Sequence, residues 1–66
     1  MELTLVTTQS LSCHDIFAFD GTQYQVIGTV GWAGDENAYA CEPIDWDDEV
    51  ELVEIDVEAI SSFEEQ

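Results

Sequence analysis

Neither lysine nor arginine occurs among the 66 residues, and His14 is the one side chain of any basic character. Sixteen aspartates and glutamates leave a net charge of −16 at pH 7. That imbalance excludes a network of stabilising salt bridges and leaves self-repulsion that opposes the compact state. It also excludes a surface that binds nucleic acid directly or sits on anionic lipid, because both are polyanions. No apolar run approaches the roughly 20 residues of a membrane span, and the start "MELTLVTTQS" lacks the basic residues of a signal peptide; the expected location is the cytoplasm.

Soft metal ligands are equally scarce. Cys13, His14 and Cys41 are the full set, with no C-x-x-C pair, so a closed zinc site lacks its fourth ligand. The two thiols are free in a reducing compartment, or bridged in an oxidising one, and the sequence leaves both open. Neighbouring Cys13 and His14 point apart in a strand or loop, and an acidic field raises a thiol's pKa, which disfavours nucleophilic catalysis. No carboxylate pair stands out for acid–base work. We expect no enzyme, no cofactor and no metal.

What the chain does contain is apolar material sufficient for one small domain over residues 1–66. Hydrophobic residues make up 45%, including two Trp, two Tyr and three Phe, which argues for a folded core and against disorder. The charged fraction of 24% is ordinary; only its sign is unusual.

Short alternating runs predict strands throughout. "ELTLVTT" reads as a first strand, "TQSLSCHD" as a polar loop, and "IFAFDGTQYQVIGTVG" as a hairpin turning at Asp20-Gly21. Gly28 and Gly31 bracket a point where a long strand bends or bulges. "WAGDEN" supplies a further turn and "AYACEP" a short strand stopped by Pro43. In "EVELVEI" the alternation slips by one at Leu52-Val53, the mark of a bulge or a strand end. Asp56 then caps a final short helix over residues 57–65, with Ile60 and Phe63 at i, i+3 spacing. The predicted fold is mainly β with that short C-terminal helix: a small, strongly bent antiparallel sheet or SH3-like barrel of four or five strands.

The acids are unevenly placed. Eleven of the sixteen fall within residues 35–58: Asp35, Glu36, Glu42, Asp45, Asp47, Asp48, Glu49, Glu51, Glu54, Asp56 and Glu58. An EF-hand loop counted from Asp45 fails, because its sixth position is Val50 where glycine is needed and its twelfth is Asp56. Alternate residues of a strand stand about 6.6 Å apart on one face, while phosphates rise about 3.4 Å per nucleotide along each DNA strand. Glu49 and Glu51, continued by Glu54, Asp56 and Glu58 and flanked by Asp45, Asp47 and Asp48, therefore present a row of comparable spacing. Trp46 lies inside this run and is the expected apolar anchor, ahead of Trp32, since tryptophan is enriched at binding hot spots. Asp35 and Glu36 form the rim, and Glu42 opens the run.

The segments "DIFAFDGTQYQVIGTV" and "AYACEPIDWDDEVELVEIDVEAI" resemble small phage-encoded β-barrel proteins in general character. In charge and size the chain resembles the acidic DNA-mimic proteins that phages and mobile elements direct against restriction enzymes, CRISPR effectors, repair glycosylases, nucleoid proteins or polymerases. That resemblance implies an inhibitor occupying the basic nucleic-acid-binding site of a host or competitor protein, as a monomer or dimer. The alternative is a structural or adaptor β-barrel from a halophilic source, in which acidic surfaces are general.

Overall fold

A computed structural model describes residues 2–45 and 50–65. Five strands, β1 (Leu3–Thr7), β2 (Ile16–Phe19), β3 (Thr22–Ala33), β4 (Glu36–Ile44) and β5 (Ile60–Glu65), form one antiparallel sheet in the order β2-β3-β4-β1-β5. The sheet curls into a half-barrel, as a mainly β reading of the sequence leads one to expect.

The β2–β3 hairpin turns where the sequence places it. Asp20 and Gly21 both have positive φ, at 52° and 81°, the signature of a type I′ turn whose twist matches the strands it joins. Phe17 lies opposite Tyr24, and their rings stack with centroids 5.7 Å apart. No atom lies within 4 Å of a β-carbon built on Gly21, so adding one brings conformational strain alone. Gly21→Ala is expected to cost about 1 kcal/mol, lowering the melting temperature by roughly 4–8 °C in a thermal scan.

β3 curves over β4 through two register shifts, between Val26 and Gly28 and between Thr29 and Gly31. These are the bulges that the paired glycines predict. β4 itself runs on through Pro43 to Ile44, so the strand does not stop at the proline. Pro43 sits beyond the last β1 pairing, Leu3 with Cys41, where among the described residues β4 is bordered by β3 alone. A residue without an N–H is tolerated at such an edge.

Two expectations for the C-terminal third are corrected. The residues of "EVELVEI" that are described form no ladder strand; a single parallel bridge joins Leu52 to Ile16. Glu49 lies outside the described residues. The expected helix over 57–65 is a single 3-10 turn, Val57–Ala59, followed by β5. Asp56 does cap that turn, its carboxylate accepting from the Glu58 N–H at 3.1 Å.

The reason for the second error is a bulge. Thr7 pairs with Ile60 but Val6 pairs with Ser62, leaving Ser61 unopposed. In a regular strand residues three apart face opposite ways. One extra residue puts Ile60 and Phe63 on the same, inner face, where both pack against the core. The i, i+3 spacing of a helix face is thus reproduced by a bulged strand.

Leu5, Leu11, Phe17, Val26, Tyr39 and Cys41 form the buried core. Phe63 on one edge strand meets Phe17 and Phe19 on the other, with centroids 5.9 and 5.2 Å away, and Tyr24 at 4.8 Å. These four rings draw the two edges of the sheet together. The buried Tyr39 hydroxyl accepts from the Leu11 N–H at 2.9 Å, which ties the loop after β1 across the inner face.

Candidate partner-binding surface

Between the edges β2 and β5 the open side of the half-barrel is spanned by residues 50–59, a strap that carries acids outward. At its start the Val53 N–H donates to the Ile16 carbonyl at 2.7 Å. At its end the Ala59 carbonyl accepts from the Thr8 N–H at 3.2 Å. Val53 and Ile55 are half-buried and pack on the core, while Glu51, Glu54, Asp56 and Glu58 are exposed. The one-residue slip in the sequence is visible here: Leu52 is exposed, and Val53 takes the inward position.

A neutral clamp fixes the middle of the strap. The Gln9 side-chain amide donates to the Glu54 carbonyl and accepts from the Asp56 N–H, both at 2.8 Å. Lysine would bond the carbonyl equally well but would place a positive charge among the carboxylates. Glutamine holds the backbone and leaves the field intact. Gln9→Ala removes two hydrogen bonds worth about 1–3 kcal/mol together. Amide hydrogen exchange at Asp56 is expected to speed up by at least roughly tenfold, with the exchange of β1 and β4 core amides little changed.

The other expected contact residues fall in three places. Asp45, exposed, follows the end of β4, and exposed Glu42 lies on β4 opposite Gln25. Asp35 and Glu36 lie at the far end of β4, roughly 30 Å from Asp45 at the strand rise of about 3.3 Å per residue. Glu36 is half-buried, and its carboxylate accepts from the Ser61 hydroxyl across β1. Trp46, Asp47, Asp48 and Glu49 lie outside the described residues. Every described acid except Asp15 and Glu36 is exposed, so the anionic surface is broader than the run from 42 to 58.

Sequence reading missed a second acidic group. The β1 register sets Leu3 opposite both Cys41 and Glu65, and Thr4 opposite Glu64, which brings Glu2, Glu42, Glu64 and Glu65 to one end of the sheet. All four are exposed. They are far apart along the chain, and only the strand register joins them. Trp32 is 79% exposed at the end of β3.

The thiols are separate. Cys13 is exposed, its thiol 3.7 Å from the Ile27 carbonyl, and Cys41 is buried. Burial pushes the Cys41 thiol from 9.0 up to about 11, so it stays protonated and unreactive at neutral pH. Among the described residues no group of three or more His, Cys, Asp or Glu is placed to hold a metal ion, and no helix is long and apolar enough to cross a membrane. No family model, curated protein or solved structure matches the chain.

Proposed function

We propose that this protein is an acidic DNA mimic that occupies the basic nucleic-acid-binding site of a target protein and acts by binding, with no catalytic step. The observation that carries the reading is the strap: Glu51, Glu54, Asp56 and Glu58 project from a backbone fixed by Gln9, Ile16 and Thr8 through neutral hydrogen bonds. A groove lined by lysine and arginine gains affinity and association rate from such a fixed anionic row. Preorganisation adds to this, since the carboxylates need not be ordered on binding. The target class is a restriction, CRISPR-effector, repair, nucleoid or transcription protein met in the cytoplasm of a host cell. Trp46, within the acidic run, is the apolar anchor in this reading, with Asp47, Asp48 and Glu49 continuing the row.

The test is capture from host lysate by the immobilised protein at low salt, with elution by a salt step and identification by mass spectrometry. A nucleic-acid-binding protein released between about 0.2 and 0.5 M NaCl is the expected result, because screening shortens the reach of surface charge to a few ångströms. A captured partner indifferent to about 1 M NaCl would point to an apolar interface and against mimicry.

A further inference from the structure

Two long stretches of this chain lack acidic residues, 3–14 and 21–34, and the second also exposes large apolar side chains. Residues 21–34, "GTQYQVIGTVGWAG", hold none of the sixteen. This window is β3 with its flanking turn residues, and it carries three of the five large apolar side chains that are exposed among the described residues: Ile27, Val30 and Trp32, at 37, 54 and 79%. β2 accompanies β3 only as far as Gln25, and the residues before β2 reach Val26 and Ile27. From Gly28 to Ala33 the described residues border β3 on the β4 side alone. Beside Trp32 lies a groove of about 270 Å³ whose lining includes Val6, Gly31, Ala33 and Ala38. Among the described residues the one acid on its wall is Glu36, which is engaged by Ser61.

We infer that this acid-poor patch is the contact surface for a second copy of the same chain, giving a two-fold dimer centred on Val30 and Trp32. Charge decides the occupant. A cationic partner is drawn to the acids and gains nothing from a neutral region. Two chains of −16 each repel, and they approach at less cost where acids are sparse on both and apolar side chains are exposed. The bulges at Ile27 and Val30 interrupt the edge ladder, which disfavours continuous strand addition and leaves side-chain packing of Trp32 and Val30 into the paired grooves as the contact. This inference stands independently of the partner proposed above, and its salt dependence has the opposite sign.

Sedimentation equilibrium of the full chain, at protein concentrations from about 10 μM to about 1 mM and at low and high salt, tests it. At about 1 M NaCl the Debye length falls to about 3 Å, repulsion between copies is screened, and a species of twice the monomer mass is expected with an association at least roughly tenfold tighter than at about 0.05 M. Trp32→Glu and Val30→Glu, both at exposed positions, are each expected to remain monomeric with an unchanged circular dichroism spectrum. A wild-type chain that stays monomeric at about 1 mM and high salt overturns the inference, as does a dimer that persists in both variants or one that salt weakens. A Trp32→Glu chain that loses capture of a basic protein, from a wild type that never self-associates, also overturns it and assigns the patch to that protein.

Discussion

The fourfold variant Glu51→Gln, Glu54→Gln, Asp56→Asn, Glu58→Gln is expected to fold more stably than the parent and to bind its partner about a thousandfold more weakly. The two effects have one cause. Within the free protein the four carboxylates repel one another and the remaining twelve acids, with no basic side chain but His14 in the chain to offset them. Relief of like-charge contacts worth a few tenths of a kcal/mol each adds about 1 kcal/mol, or roughly 4–8 °C in melting temperature for a domain of this size. Asparagine is as good a cap as aspartate, so the turn at Val57–Ala59 is retained. Within the complex each lost charge removes about 1 kcal/mol of attraction to a cationic groove; four of them correspond to about three powers of ten in affinity. Weaker binding with lower stability would instead mean that the strap's carboxylates serve the fold.

Phe17→Ala is expected to unfold the protein at 25 °C. Phe17 is fully buried and touches Tyr24 and Phe63, so it sits where the two sheet edges converge. Removing a buried phenylalanine costs about 3–5 kcal/mol. A 66-residue domain at typical stability per residue has only roughly 3–10 kcal/mol in total, and the uncompensated charge places this chain toward the low end. Loss of the cooperative transition in urea checks the expectation. Phe17→Leu, which keeps much of the volume, is expected to retain a transition at a lower midpoint.

The parts of the fold that were legible in the sequence are those written in local backbone chemistry. Asp20-Gly21 demands positive φ at two successive positions, and the turn forms there. Gly28 and Gly31 flag bulges, and β3 bends at both. The misread parts depend on partners distant in sequence. Pro43 ends a strand only if strands border it on both sides, and β1 stops short of it. "EVELVEI" alternates well enough for a strand, yet its inward residues Val53 and Ile55 find the core while the backbone of its described residues is held by Ile16 and Gln9 and forms no ladder. Ile60 and Phe63 carry a helix spacing that the bulge at Ser61 accounts for.

The candidate surface divides in the same way. Glu51, Glu54, Asp56 and Glu58 are contiguous, and their outward face follows from Val53 and Ile55 pointing in. Glu2, Glu42, Glu64 and Glu65 become neighbours only through the β1 register. The role of Gln9 was invisible because a single glutamine in a polar loop carries no pattern, and its function depends on which backbone lies within reach.

The most direct measurement of the central claim is a titration of the captured partner with this protein while the partner holds a labelled DNA or RNA duplex. Fluorescence anisotropy reports release of the duplex, and sedimentation reports the composition of the complex. The account predicts mutually exclusive binding, with release of the duplex complete at saturation and an apparent affinity that falls in proportion to the duplex added. A stable ternary complex, with duplex and protein bound together at unchanged affinities, would contradict it.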